Sequence, residues 1–218
     1  MFKDTFWNST IIYGLGFLFL RAVSFLLLPM YTNILNPADL GKVFIFITFL
    51  GFMNAVYAFG MDSALLKYYD SEKNILSTSL ISIGIFAIPI SMLLYLNSNS
   101  ISFFLFNNSL NTTSWMFNNN IWILFAIGIL FLDVISSRLI TLVRILNLPW
   151  YYLTVATLNI VFSIVLNLYF LHLKSPAMKF DGVILAMFCV SVIQCLALLP
   201  IGIKKIKTYQ FNYSIFKK

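Results

Sequence analysis

Residues Ile11–Met30, IIYGLGFLFLRAVSFLLLPM, run for 20 positions with a single charge, Arg21, and no acidic residue. At 1.5 Å per residue such a run covers about 30 Å as a helix, the thickness of a bilayer's hydrocarbon core, so it predicts a membrane-crossing helix. It is too long for a signal-peptide core and ends in Leu28, Pro29, Met30 instead of a small-x-small cleavage site, so it is expected to remain as an anchor. A guanidinium at mid-membrane costs about 2.5–3.5 kcal/mol on insertion scales, which marks Arg21 as a candidate functional residue whose partner has to be found.

The rest of the chain has the same character. It is 61% hydrophobic and 10% charged over 218 residues, a balance that belongs to membrane proteins and not to a soluble core. Much of the excess behind the net charge of +7 lies in the last fifteen residues, which argues against a nucleic-acid-binding face. Six stretches are long and apolar enough to span: 11–30, 43–62, 77–96, 121–141, 151–171 and 182–203, the third interrupted by Pro89. Asn36 and Pro37 predict an N-cap and first helical position with Asp39 in the first turn, and Pro149 opens the fifth span. The expected fold is all-α and polytopic: a six-helix lobe over 1–208, then a basic tail, 209–218.

On one side of the membrane this topology puts Lys3, Lys67, Lys73, Arg138, Arg144, Lys204, Lys205, Lys207, Lys217 and Lys218. The other side receives Lys42, Lys174 and Lys179. The bias predicts both termini in the cytoplasm and the uncharged connection 97–120 outside, with Ile101–Phe106 too short to span and so lying at the interface. Arg138 and Arg144 read as positive-inside anchors.

Few polar groups lie inside the spans. Arg21 is about 15 Å from the start of the first span and Asp133 about 12 Å from the end of the fourth, so their depths match within about 3 Å. They neutralise one another and hold the bundle together, or face a cavity and meet a ligand, or else snorkel or contact lipid. Asp62 and Lys67, five residues apart at the end of the second span, read as an interfacial anchor. Asn54, Asn159, Asn167 and Gln194 either bond between helices or line a polar path, and Gly14 and Gly16 are candidates for close helix approach.

No enzyme motif is evident. The only histidine, His172, allows neither a histidine-based triad nor a two-histidine metal site, no glycine-rich phosphate loop occurs, and Asp133 has no carboxylate companion at its depth. Cys189 and Cys195, six apart on different helix faces, suit neither a disulfide nor a metal cluster. No catalytic residue, metal or cofactor is expected.

Four segments carry a resemblance. YGLGFLFLRAVSFLLLPMYTNILNPADLGKVFIF at 13–46, FGMDSALLKYY at 59–69, LNLPWYYLTVATLNIVFSIVLNLYF at 146–170 and FDGVILA at 180–186 occur in the order found in bacterial polysaccharide exporters. The chain resembles the amino-terminal half of these lipid-linked oligosaccharide flippases of the multidrug/oligosaccharidyl-lipid/polysaccharide superfamily.

The resemblance implies one six-helix lobe of a MATE-like transporter whose relatives carry two lobes and twelve to fourteen spans. The sequence therefore looks like half a transporter: truncated, a fragment, or a half that pairs with a second lobe. It further implies export of polyprenyl-pyrophosphate-linked sugars for cell-surface polysaccharide, such as lipopolysaccharide O-antigen, across the inner (plasma) membrane. Arg21 and Asp133 would then meet substrate, the guanidinium forking onto the diphosphate, and Asp62 and Lys67 would belong to a cytoplasmic gate. The implied partners are the lipid-linked oligosaccharide, the bilayer and a second lobe or glycan-assembly proteins. The alternative is a non-transporting lobe that associates with such proteins.

Overall fold

The computed structural model describes residues 2–69, 75–106, 120–173 and 179–205, the side chains of 2–10, 20–22, 24, 173 and 205 excepted. These residues form helices α1 (Phe2–Ile34), α2 (Pro37–Ala58), α3 (Met61–Tyr68), α4 (Ile75–Leu96), α5 (Ser98–Phe106), α6 (Ile121–Ile145), α7 (Pro149–Leu173) and α8 (Lys179–Lys205), with no strand among them. The all-α expectation holds. Helices α2, α4, α6, α7 and α8 are long and apolar enough to cross a membrane, and α1 is a continuous helix of 33 residues containing the apolar segment Phe25–Ile34. Six spans are consistent with this. The tail 209–218 and most of the outer connection lie outside the described residues.

Local chemistry sets the helix ends. The Asn36 side chain accepts the Asp39 N–H at 2.8 Å and Pro37 occupies the first turn, as the sequence predicts. The second span differs from expectation: it ends at Ala58, not at residue 62. Phe59 and Gly60 adopt positive φ, 48° and 67°, which breaks the helix and starts the short helix α3. Asp62 and Lys67 consequently belong to α3 and not to the end of a span. Helix α6 closes with Asn147 at φ 51°, where the Leu148 N–H bonds the Val143 carbonyl (3.2 Å) and the Asn147 N–H bonds the Arg144 carbonyl (3.1 Å). This pair of bonds is the Schellman arrangement; Pro149 then opens α7.

Helix α6 lies at the centre, packed mainly on α8 and also on α4, α2 and α3, while α7 is held between α1 and α8. The end of the bundle that holds α5 and the α1–α2 turn is filled by aromatic rings. Trp122, fully buried, meets Phe46, Phe49 and Phe106 edge to face at 5.3–6.2 Å, and its indole N–H donates to Ser102 Oγ at 3.0 Å. Ser102 and Phe106 turn α5 into this cluster while Phe103 and Phe104 stay exposed. At the same end Lys179 Nζ donates to the Ile34 carbonyl at 2.8 Å, satisfying a terminal acceptor of α1. Of the two candidate glycines, Gly16 permits close approach: a Cβ there would lie 2.5 Å from the Tyr152 ring, whereas one at Gly14 would meet nothing within 4 Å. The outward helix surface is apolar, with Phe25, Phe52, Ile88 and Val161 exposed, as suits contact with lipid.

Candidate functional site

Three helices contribute polar stripes to the interior. On α6, Asp133, Ser137, Thr141 and Arg144 recur at offsets of four, four and three, and thus share one face; Asn159, Ser163 and Asn167 do so on α7, and Ser191 and Gln194 on α8. Because α8 packs on both α6 and α7, these faces converge. Asp133 accepts from Ser191 Oγ at 2.6 Å and from Asn54 Nδ2 at 3.5 Å, so one carboxylate joins α2, α6 and α8. Asn159 donates to Gln194 across α7 and α8, and Tyr31 OH donates to Asn167 Oδ1 at 2.7 Å across α1 and α7. The amides thus bond between helices and line the interior at the same time.

Two cavities follow these stripes. One, of approximately 320 Å³, is lined by Val23, Leu27, Tyr31, Ser163, Asn167 and Ser191 among others. The other, of approximately 720 Å³, extends towards the end holding α3 and the α6–α7 turn, with Phe17, Asn54, Asp62, Ser63, Thr141 and Arg144 in its wall. Asp133, Asn159 and Gln194 line both. The result is a polar seam between α6, α7 and α8, in which Asp133, Asn159, Asn167, Ser191 and Gln194 each have a hydrogen-bond partner.

Arg21 lies within α1, but its side chain is outside the described residues, so its expected meeting with Asp133 is too. Asp62 and Lys67 are not paired with each other. Asp62 takes the ion pair of Arg138 on one carboxylate oxygen and the Ser137 hydroxyl on the other, at 2.7 Å, while Lys67 is exposed with Nζ 5.1 Å from the Tyr68 ring centre. Arg138 is therefore not an interfacial anchor. It is 1% exposed, and its second arm donates to the Ala58 carbonyl at 2.6 Å, the last residue of α2. The break at Phe59–Gly60 turns Asp62 back towards α6, which is why a basic residue expected at the interface is buried. Arg144, on the cavity-lining stripe, is exposed and donates to Tyr152 OH at 2.9 Å. Sequence reasoning missed the Asp62–Ser137–Arg138 cluster; the one available signal was the four-residue repeat of Asp133, Ser137 and Thr141. Among the described residues both cysteines are free, Cys195 buried and Cys189 partly so.

These features define a class: a multi-pass α-helical membrane protein with a polar interior. Residues 30–124 match the family model described as Polysaccharide biosynthesis protein, which bears out the resemblance to a polysaccharide biosynthesis/exporter family. The match runs from the end of α1 through α5 to the start of α6 and includes Asn54 and Asp62. Comparison with curated proteins and with solved structures found no match. Family pattern and apolar helices together fit a membrane protein of polysaccharide synthesis.

Proposed function

We propose that this chain is a flippase-type exporter, or one lobe of one, that moves oligosaccharide linked to a polyprenyl pyrophosphate from the cytoplasmic to the outer leaflet of the plasma membrane, with both termini cytoplasmic. The observation that carries the reading is the pair of cavities joined at Asp133, Asn159 and Gln194. Amides and hydroxyls supply the donors and acceptors that a sugar needs, and the apolar helix surfaces suit its lipid. In this reading the Arg21 guanidinium forks onto the diphosphate, and Asp133 holds it when the cavity is empty. The aromatic cluster around Trp122 closes the end that the charge bias assigns to the outside, leaving the larger cavity towards the cytoplasm, where Asp62 belongs to the gate. A second six-helix lobe would complete the cavity.

Surface glycan measured in cells that lack the chromosomal copy and carry wild type, Arg21→Ala or Arg21→Lys tests this. Export is expected with wild type, lost with alanine and strongly reduced with lysine, which keeps the charge without the fork. Equal export by all three would sink the reading.

The bonds from Ser191 and Asn54 to Asp133 favour one other reading, a non-transporting lobe that supports glycan-assembly proteins. On that reading Arg21→Ala leaves glycan export intact while substitution of Asp133 lowers stability.

A further inference from the structure

Two arginines stand six residues apart on α6 and are used differently. Arg138 is buried and neutralised by Asp62. Arg144 is exposed in the larger cavity, with no carboxylate in ion-pair distance among the described residues. Its place is nevertheless set. The Schellman turn at Asn147 and the start of α7 at Pro149 bring Tyr152 back beneath it, the guanidinium carbon 5.0 Å from the ring centre and Nη2 donating to the hydroxyl. Tyr152 is itself 2% exposed, seated against Gly16 of α1 and edge to face with Tyr13 at 5.5 Å. Three helices thus hold the ring on which the cation rests.

A guanidinium carries five N–H donors in a planar fork, and one contact to Tyr152 leaves most of them for a ligand. The hydroxyls of Ser63 and Thr141 line the same cavity. Asp62, also in the wall, is compensated by Arg138, and Asp133 stands eleven residues earlier on α6, about 16 Å deeper. Among the described residues the field at this mouth is therefore that of a cation without a paired carboxylate, held on a rigid seat in a cavity whose wall also carries hydroxyls. That is the chemistry of a phosphate site, whereas a flexible surface lysine would offer only a point charge.

We propose that Arg144, seated on Tyr152, forms a phosphate-binding subsite at the mouth of the larger cavity and takes the phosphate end of a lipid. The phosphate comes either from a polyprenyl diphosphate or from a bilayer phospholipid. Only the first source rests on the exporter reading.

The test is native mass spectrometry of the full chain released from phosphatidylcholine nanodiscs, with farnesyl pyrophosphate added in one arm and phosphatidylglycerol in the other. Arg144→Gln is expected to weaken retention about tenfold or more, Tyr152→Phe and Arg144→Lys about threefold, and Lys204→Gln, an exposed cation near the same end, less than about twofold. Farnesol, which lacks the phosphate, should not distinguish the variants. Loss confined to farnesyl pyrophosphate supports the subsite with the carrier as source. Loss confined to phosphatidylglycerol supports the subsite with the bilayer as source and removes Arg144 from the transport cycle, whatever the Arg21 variants do. Retention of both lipids unchanged by Arg144→Gln, or by Arg144→Lys and Tyr152→Phe together, overturns it.

Discussion

Arg138 and Asp62 are ion-paired across the break between α2 and α3, and the other arm of the same guanidinium holds the Ala58 carbonyl that ends α2. One side chain on α6 thereby fixes both sides of the Phe59–Gly60 turn. Removing one partner of a buried pair costs about 3–5 kcal/mol, and the partial exposure of Asp62 moves this pair to the lower end of that range. Arg138→Gln and Asp62→Asn are both expected to lower thermal stability in detergent substantially, the second because it leaves the buried Arg138 guanidinium without its counter-charge. A double-mutant cycle showing no coupling between the two positions would contradict the latch.

The notch at Gly16 makes a sharper comparison. Gly16→Ala places a methyl against the Tyr152 ring, and overpacking of this kind costs about 1–3 kcal/mol, whereas Gly14→Ala meets open space. Thermal melts of the two variants should therefore separate clearly. Equal melting would mean that α1 and α7 are not in contact at this point.

Asp133 is expected to tolerate asparagine in stability better than alanine. Asparagine keeps an acceptor for Ser191, while alanine leaves Ser191 and Asn54 without their partner, at a cost of about 1–3 kcal/mol. Export should fall with both substitutions under the exporter reading, because both remove the negative charge. Stability measured in detergent and surface glycan measured in cells separate the two effects.

The turn that seats Tyr152 depends on one left-handed residue. Asn147→Gly is expected to be neutral or slightly stabilising, and Asn147→Val to cost about 1–2 kcal/mol, since a β-branched residue resists positive φ. If the phosphate subsite is as proposed, valine at this position should also weaken lipid retention by shifting Tyr152 from beneath Arg144. Unfolding and native mass spectrometry on the same preparations read both.

The amino-acid sequence by itself determined the class of the protein and the number of long helices. Those depend on apolar length against bilayer thickness, and on local signals such as Asn36–Pro37 and Pro149 that act within a few residues. It also pointed to Asp133 and the amides of α2, α7 and α8 as interior groups, because a polar side chain in a spanning helix has to find a partner. Tertiary structure alone decided which partners those are. Asp133 meets Ser191 and Asn54, from 58 residues later and 79 residues earlier in the chain, through packing that no periodicity encodes. It likewise separated Arg138 from Arg144. Both look like interfacial anchors when basic residues are counted along the chain, yet the left-handed pair Phe59–Gly60 returns a carboxylate to one of them and a glycine notch places a tyrosine beneath the other. Charge counts establish which end of a helix a residue occupies; only the packing of neighbouring helices determines whether that charge is buried and matched or left facing a cavity.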